Sequence, residues 1–553
     1  MKLNWIPAFD WISTYSRDDL RGDMSAGLIV AIMLIPQGMA YAMLAGLPPV
    51  VGLYASTIPL LIYALFGTSR HLAVGPVAMV SLLVFSGVSA IAEPGSSEYI
   101  SLVLLLMMLI GLIQFLMGVL RLGFLVTFLS HAVISGFTSA AAIIIGVSQL
   151  KHVIGLKLEA EKDVFLIVIE VLQRVSEINP IALILGFATI GVLVGVKKVA
   201  PKLPGPLVVV VLSIFTVYIL QLQTFGVKIV GDVPSGLPSL SVPAFSMDAI
   251  LTLLPIAITI SLIGFMESIA MAKAIAAKEK YKVNANKELV GLGLANVGGS
   301  FFSGYPVTGG FSRSAVNHQA GAKTPFATMI TAILVLLTLV FFTDGFYFLP
   351  NAVLGAIIIV AVFSLIDVRE VKYLFKVKKI DGWTCIITFV STLLIGIEQG
   401  IFIGVVFSLL VFIWRSAYPH VAVLGFVKEE QVFRNIKRYP EATVDPQVLI
   451  FRVDASLYFA NMTFLENQLR ELLSEKPDTK SVIFDFSGVN SIDAVAIHTL
   501  EELIEQYQSA GITIVLASVK GPVMDLFKKV QWDVKYGKQI NYLSIQHAIT
   551  DIK

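Results

Sequence analysis

Long runs without a charged side chain divide the first 420 residues of the chain. No Asp, Glu, Lys or Arg occurs between Met24 and Ser69, which is room for two membrane spans at about 20 residues each. The later uncharged runs are His71–Ala92, Ile100–Leu120, Leu122–Leu150, Ile178–Val196, Gly205–Phe225, Ala249–Met266, Leu289–Ser312, Thr324–Thr343, Gly345–Ile366, Gly382–Ile397 and Gln399–Trp414. This pattern predicts a polytopic helical membrane protein with about 14 segments, two of them short.

The charges between these runs predict an orientation. Arg17 and Arg21 precede the first run, so a cytoplasmic N-terminus requires basic loops after the even-numbered segments. Such loops contain Arg70, Arg121, Lys197, Lys273, Lys323 and Arg369. We therefore expect an even number of segments, with both termini in the cytoplasm.

The composition supports a membrane protein and argues against an enzyme. Hydrophobic residues make up 56% of the 553 residues and charged residues only 14%, whereas a soluble domain carries about a quarter charged residues. The single cysteine, Cys385, excludes a disulfide framework and a cysteine-based metal site. No nucleophile–base pair or metal-ligand cluster stands out, so no catalytic residue, metal or cofactor is expected.

Charge returns to ordinary levels from about Lys428 onward, where the pattern is that of a soluble α/β domain. Residues 447–454, 480–487 and 513–518 have the continuous apolar character of buried strands. Amphipathic helices are predicted between them, which favours a small sheet covered by helices.

Two stretches interrupt their hydrophobic segments with glycine and proline, namely Leu72–Ser81 (LAVGPVAMVS) and Gly304–Asn317 (GYPVTGGFSRSAVN). We expect a short helix from Pro76 to about Ile91, because proline suits the first turn of a helix. A second short helix is expected to begin near Ser312. Neither spans a bilayer core of about 30 Å, and non-helical backbone at that depth must line a cavity or be buried in protein.

The two breaks each come third in a set of seven segments. An odd repeat inverts its topology, and matched breaks in two inverted halves point to a transporter binding site. We therefore expect two opposed helix starts at mid-membrane, whose free N–H groups and dipoles bind an anion. Simple kinks in two unrelated helices are the alternative interpretation.

Two ionisable residues are predicted inside the membrane. Arg313 lies near the midplane, where a charge costs at least about 2.5 kcal/mol, and it adds positive potential behind the helix starts. Glu267 lies deep in the eighth segment. The hydroxyls of Ser312 and Ser314 are candidate donors to the anion. A structural ion pair between Arg313 and Glu267 is the alternative.

At these residues the chain resembles the SulP family of anion permeases over nearly its whole length. The matching stretches are IPQGMAYAMLAGLPPVVGLYAS (35–56), GTSRHLAVGPVAMVS (67–81), FMESIAMAKAIA (265–276) and NVGGSFFSGYPVTGGFSRSAVN (296–317). The terminal domain is similar to a STAS domain, with IFDFSGVNSIDAVAIHTL (483–500) as its signature loop and helix.

The resemblance implies a domain plan. A cytoplasmic segment (1–20) precedes a transmembrane transport domain (21–420), and a cytoplasmic STAS domain (430–553) follows it. The transport domain comprises two inverted seven-segment repeats, about 21–225 and 246–417. They are divided into a core and a gate as in the nucleobase-permease fold, and the resemblance also implies a homodimer with elevator-type alternating access.

The resemblance also implies a set of site residues. The substrate-binding positions are Gln37, Tyr41, Pro76, Val77, Ala78, Phe311, Ser312 and Arg313. Val77 stands where relatives carry an aromatic residue. Glu267 matches the acid to which the coupling proton is assigned in proton-coupled members, and sodium-dependent bicarbonate relatives have Asp there.

The resemblance leads to a function with several open alternatives. We expect a secondary active transporter of a small oxyanion, sulfate by proton symport, in the plasma (inner) membrane. Sodium-coupled bicarbonate transport, proton-coupled C4-dicarboxylate transport and an uncoupled chloride channel remain alternatives, because backbone amides and one arginine bind any of these anions. A nucleobase permease is disfavoured, since those lack a STAS domain.

The expected partners are the anion, membrane lipid, a second copy of the chain and a cytoplasmic protein bound through the STAS domain; nucleic acid is not one. Soluble STAS relatives carry a phosphorylatable Ser after the loop Asp. Here Asp493 is followed by Ala494. Protein docking is therefore expected there rather than a phosphoryl switch.

Overall fold

The computed structural model describes residues 7–124, 130–156, 158, 164–200 and 204–552, apart from the side chains of Asp10 and Glu398. Residues 1–6 of the predicted N-terminal segment (1–20) lie outside the described part. The chain divides into two compact units, Met1–Ser408 and Leu409–Lys553.

In the residues that the structure describes, the first unit consists of helices, one short strand pair and the loops that connect them. Its helices are α1 Ala8–Ile12, α2 Arg17–Leu44, α3 Pro49–Tyr54, α4 Ile58–Phe66, α5 Ala78–Val88, α6 Ser97–Val119, α7 His131–Ser148, α8 Leu150–Val153, α9 Val164–Gln173, α10 Pro180–Val199, α11 Gly205–Leu220, α12 Met247–Lys278, α13 Ala285–Ser300, α14 Phe311–Gln319, α15 Phe326–Phe341, α16 Asn351–Phe363, α17 Val368–Val377, α18 Lys379–Leu394 and α19 Ile397–Ala417, the last of which continues into the second unit. The strands are β1 Val74–Gly75 and β2 Thr308–Gly309.

Many of these helices are long enough to cross a membrane. Among the described residues, eight helices have the length and apolar composition of a span, and four more, α5, α9, α11 and α15, are apolar but have only 10–17 residues. Three of the eight combine two successive helices each: α3 with α4 (Pro49–Phe66), α7 with α8 (His131–Val153) and α16 with α17 (Asn351–Val377). The chain is thus polytopic, and the figure of about 14 segments stays a prediction.

The helices of the first unit pack in two groups. In one group, α13 packs against α4 and α6, α12 packs against α5 and α6, and α15 packs against α2. In the other group, α10 packs against α11 and α16, and α18 packs against α7. The groups meet where α2 contacts α11 and α16.

The second unit contains a five-stranded sheet. Its strands are β3 Val421–Val427, β4 Val432–Asn435, β5 Val448–Val453, β6 Ser481–Asp485 and β7 Thr513–Ala517. Its helices are α20 Phe459–Glu475, α21 Ala494–Ser509, α22 Gly521–Lys529, α23 Trp532–Lys535 and α24 Ile545–Ile552. The strand order is β4-β3-β5-β6-β7, with β5, β6 and β7 parallel and β3 antiparallel to both of its neighbours.

The sheet of the second unit is covered on both faces. Phe451 and Phe484 pack with the apolar face of α20 and α21 on one side, and Ile450 and Ile483 pack with α24 on the other. The three predicted strands are confirmed as β5, β6 and β7. Strands β3 and β4 were not predicted from the sequence, and β3 precedes the predicted domain start at residue 430.

Candidate functional site

The two predicted breaks lie side by side. Strands β1 and β2 form an antiparallel pair in which Val74 is opposite Gly309. The N–H of Gly310 donates to the carbonyl of Ala73 at 3.0 Å, so one more bond extends the pair. Because α5 follows β1 and α14 follows β2, the pairing brings the starts of the two helices together.

Helix α5 begins later than predicted. Its first residue is Ala78 and its N-cap is Val77, and the helix has 11 residues. The prediction of a start at Pro76 and an end near Ile91 was therefore wrong. Val77 is extended, with φ −134° and ψ 147°, so the helix cannot begin before Ala78. The predicted start of α14 near Ser312 is confirmed, since α14 begins at Phe311.

A cavity of about 400 Å³ opens at the two helix starts. Its lining includes seven of the eight predicted substrate positions and the predicted proton-coupling acid: Gln37, Tyr41, Val77, Ala78, Glu267, Phe311, Ser312 and Arg313. Pro76 lies outside this lining. The wall that α10 and α16 contribute is mainly apolar and includes Leu193, Val196, Ile357 and Val360.

The guanidinium of Arg313 lies between the two broken segments, next to Gly75 of one and Gly310 of the other. Arg313 is 3% exposed, and its Nη1 donates to the carbonyl of Pro76 at 2.5 Å. Pro76 therefore supports the site through its backbone. The Nε and Nη2 atoms of Arg313 are buried and have no hydrogen-bond partner in the described part of the chain. Arg313 thus has two unsatisfied donors next to the cavity that it lines.

Glu267 reaches the same cavity from α12. The backbone N–H of Phe311, the first residue of α14, is directed at its carboxyl group. The other carboxyl oxygen, Oε2, is buried and has no described hydrogen-bond partner. Glu267 and Arg313 both lie in the described part of the chain, and their side chains form no direct ion pair with each other. The alternative of a structural pair is therefore not supported by the geometry.

Ser314, the second candidate hydroxyl, lies outside the lining of the cavity. It is fully buried. Its hydroxyl accepts from the N–H of Ala73 at 2.9 Å and donates to the carbonyl of Gly310 at 2.7 Å. Ser314 thus joins α14 to the residues before β1, whereas Ser312 is exposed to the cavity.

The residues that hold β2 against α12 were also not predicted from the sequence. The Ser268 hydroxyl accepts from the N–H of Gly309 at 2.8 Å and lies 2.7 Å from the Thr308 hydroxyl. The Thr308 hydroxyl donates to the carbonyl of Gly264 at 2.6 Å. Ser268 directly follows Glu267 in the sequence, so this contact fixes the acid next to the break. The position of Ser268 directly after Glu267 was the only sequence signal that could have indicated this contact.

Substitution of Gly310 should disturb the arginine. A Cβ on Gly310 would lie 2.9 Å from Nη2 and 3.1 Å from Cζ of Arg313. Because the guanidinium is rigid and planar, the whole group would have to move to relieve this contact. We expect Gly310→Ala to lower the free energy of unfolding by about 1–3 kcal/mol, measured by thermal and denaturant unfolding in detergent. The matched control is Gly191→Ala in α10, where an added Cβ has no described atom within 4 Å. Equal stability of both variants would contradict the packing of Arg313 on Gly310.

Among the described residues, no group of three or more His, Cys, Asp or Glu side chains is arranged to hold a metal ion. The donors of the cavity are instead N–H groups, hydroxyls and a guanidinium, which is chemistry that suits an anion.

The loop of the second unit that carries Asp493 has a structural role. The Asp493 side chain is the N-cap of α21, where Oδ1 accepts from the N–H of Ala496 at 2.7 Å. Its Oδ2 accepts from the N–H of Phe459 at 3.0 Å. The loop is thereby fixed between α20 and α21. The residue after the cap is Ala494, which has no hydroxyl to accept a phosphoryl group.

Comparisons with known proteins cover almost the whole chain. The model of the sulfate permease family matches residues 20–388, and that of the STAS domain matches residues 439–538. Probable sulfate transporter 4.2 of Arabidopsis thaliana is 39% identical over 99% of this chain and 84% of that protein.

Two solved structures have the same architecture. The murine Solute Carrier 26 family member A9 anion transporter, in the inward-facing state, superposes with a TM-score of 0.91 at 26% identity, over 99% of this chain and 94% of that chain. The transmembrane domain of the cyanobacterial bicarbonate transporter BicA gives a TM-score of 0.62 at 25% identity, over 70% of this chain and 98% of that chain.

Proposed function

Because this chain belongs to the sulfate permease family and carries a STAS domain, we propose that it is a secondary active transporter of sulfate in symport with protons. The protein is a multi-pass membrane protein of this family's fold. The choice of sulfate follows its sequence relatives, which are named as sulfate transporters at 33–40% identity.

One observation carries the proposal of anion binding. The starts of α5 and α14 meet at a cavity that Arg313 lines, and the buried Nε and Nη2 donors of this side chain have no described partner. A buried guanidinium with two unused donors is unfavourable unless a ligand satisfies them. A tetrahedral oxyanion has acceptor oxygens on every side, so the helix N–H groups and the guanidinium can bind it together.

Glu267 is the proposed proton carrier. It lines the same cavity, its Oε2 has no described partner, and the N–H of Phe311 is directed at its carboxyl group. An ionised Glu267 places a negative charge beside the anion, whereas a protonated one does not. Anion binding and protonation of Glu267 therefore favour each other, which is the linkage that symport requires.

The two walls of the cavity favour elevator-type movement between inverted repeats. The polar side chains Gln37, Tyr41, Glu267, Ser312 and Arg313 come from α2, α12 and α14, whereas the wall from α10 and α16 is mainly apolar. An anion held entirely by one wall can move with that wall past a smooth partner. Lys197 and Ser364 at the ends of α10 and α16 also line the cavity, and the loop charges predict that these ends are cytoplasmic, which corresponds to an inward-open cavity.

Sodium-coupled bicarbonate transport is the second candidate, favoured by the likeness to the bicarbonate transporter domain. Proton-coupled C4-dicarboxylate transport and uncoupled chloride conduction use the same donors. We further propose a homodimer in the plasma (inner) membrane, both termini in the cytoplasm, and a protein partner for the STAS domain.

Competitive uptake into proteoliposomes separates these functions. Labelled sulfate, bicarbonate and succinate are offered at two external pH values, with and without sodium. We expect sulfate to accumulate above its electrochemical equilibrium when the outside is acidic, without a need for sodium. Sodium-dependent bicarbonate uptake would replace the proposal with the second candidate. Flux that never exceeds equilibrium would indicate a channel.

A further inference from the structure

Two buried carboxylates outside the cavity lining hold the loops next to the broken segments. Glu288, near the start of α13, is 0% exposed. Its Oε1 accepts from the N–H of Thr68 at 2.5 Å and from the N–H of Ser69 at 2.8 Å. The Thr68 hydroxyl donates to the same oxygen at 2.5 Å. The other oxygen, Oε2, accepts from the Tyr63 hydroxyl at 2.7 Å.

Asp23 in α2 makes the same set of bonds elsewhere in the chain. It is also 0% exposed. Its Oδ1 accepts from the N–H groups of Lys323 and Thr324 at 2.7 and 3.0 Å. The Thr324 hydroxyl donates to Oδ2 at 2.5 Å, and the Tyr15 hydroxyl donates to it at 3.2 Å.

The donor sets of Asp23 and Glu288 are therefore alike. Each carboxylate binds two consecutive N–H groups, one threonine hydroxyl and one tyrosine hydroxyl. A buried carboxylate is costly unless its oxygens are satisfied, and bonds to an ionised acceptor are about twice as strong as neutral ones. Each also joins segments more than 200 residues apart, so it fixes tertiary rather than local structure. We call these two arrangements the carboxylate clamps.

The clamped loops lie directly next to the elements of the proposed anion site. Residues 68 and 69 precede β1, which leads into α5, and residues 323 and 324 follow α14. Between the clamps, Asn317 of α14 donates to the carbonyl of His71 at 3.0 Å, and Ser314 accepts from Ala73. The segment that leads into α5 is thus held by Glu288, and the segment that leaves α14 is held by Asp23. Asn317 and Ser314 of α14 bond directly to the segment that leads into α5.

We propose that Asp23 and Glu288 are positioning residues for anion binding: the clamps keep the starts of α5 and α14 at the spacing that one anion needs. This proposal rests on the proposed function. Two helix starts give a site only when their N–H groups converge on one point, and an error near 1 Å is large for hydrogen bonds. The carboxylates act through the backbone that they hold and need no contact with the anion.

The test uses mild substitutions in the full-length protein. Thr68→Val and Thr324→Val each remove one hydroxyl donor from a clamp and keep the side-chain shape, and Glu288→Gln replaces the carboxylate by an amide. The matched control is Thr331→Val. The Thr331 hydroxyl is also buried and donates to the carbonyls of Gly27 and Ala327, both at 3.1 Å, so it bonds to neither clamp carboxylate.

Two measurements are made on each purified variant: the Kd for labelled sulfate and hydrogen–deuterium exchange of residues 68–80 and 308–324. We expect the clamp variants to bind sulfate about fivefold more weakly, the size of one hydrogen bond's net contribution, and to exchange faster in these segments. Thr331→Val is expected to lower the Tm without either change.

Two results would overturn the proposal. One is unchanged exchange in both segments of the clamp variants. The other is faster exchange with wild-type sulfate affinity, which would make the clamps structural only. The exchange measurement needs no ligand. If the wild-type protein fails to bind sulfate, the proposed substrate is rejected. The exchange of the variants then still decides whether the clamps order the starts of α5 and α14.

Discussion

Arg313→Ala is expected to weaken anion binding on the order of 100-fold, because two charge-assisted hydrogen bonds of about 1.5 kcal/mol each are lost. The Nε and Nη2 atoms of Arg313 are the buried donors at the cavity that have no described partner. Equilibrium binding of labelled sulfate to the purified protein measures the loss directly.

Arg313 also holds the backbone, so the binding measurement needs controls. Its Nη1 donates to Pro76, and the alanine variant can shift the start of α5. Arg313→Lys keeps the charge but loses the planar fork of donors, and we expect an affinity between those of wild type and Arg313→Ala. Arg434→Ala, at an exposed arginine of the second unit, should bind as wild type does. Wild-type affinity in Arg313→Ala, with altered turnover, would make Arg313 a gating residue.

Glu267→Gln is expected to abolish proton-driven accumulation of the anion and to make uptake independent of external pH. Glutamine has nearly the shape of a protonated glutamic acid and cannot release a proton, so the carrier behaves as if always loaded. Anion exchange across the membrane should continue, because that reaction needs no change of protonation. Uptake driven by an imposed pH gradient, measured beside exchange at equal pH, distinguishes these two modes.

The matched control for Glu267→Gln is Glu279→Gln. Glu279 follows the same helix, but its carboxylate is partly exposed and bonds to Nε2 of His318 at 2.8 Å. This variant should keep the wild-type pH profile. A pH profile that survives in Glu267→Gln would reject Glu267 as the proton carrier.

Much of the architecture could be predicted from local patterns. Uncharged runs of span length identify membrane helices because a charge in the bilayer is costly. The apolar runs that became β5, β6 and β7 are visible because strands covered on both faces exclude polar residues. Strand β4 was missed because it is an edge strand of the sheet, is only partly buried and has a mixed pattern. Strand β3 is apolar and was missed because it follows the last apolar helix, α19, after only three residues.

The site was only partly predictable. Glycine and proline marked the two breaks, and the resemblance to the SulP family, now confirmed by the family match, identified residues around them. It did not reveal that the carbonyl of Pro76 accepts from Arg313, that Ser314 joins α14 to Ala73, or that Ser268 and Thr308 join α12 to β2. Each of these roles depends on a hydrogen bond to a residue that is distant in the sequence. The local sequence around the polar group therefore does not reveal the partner.

The sequence by itself determined the membrane character, the two broken segments, the α/β domain and the kinds of donor available to a ligand, because these follow from hydrophobicity and backbone propensity over short windows. Only the tertiary structure decided how the breaks meet. The pairing of Val74 with Gly309 and the clamps at Asp23 and Glu288 join residues more than 200 positions apart. A pair of helix starts becomes an anion site only when such contacts bring both to one cavity.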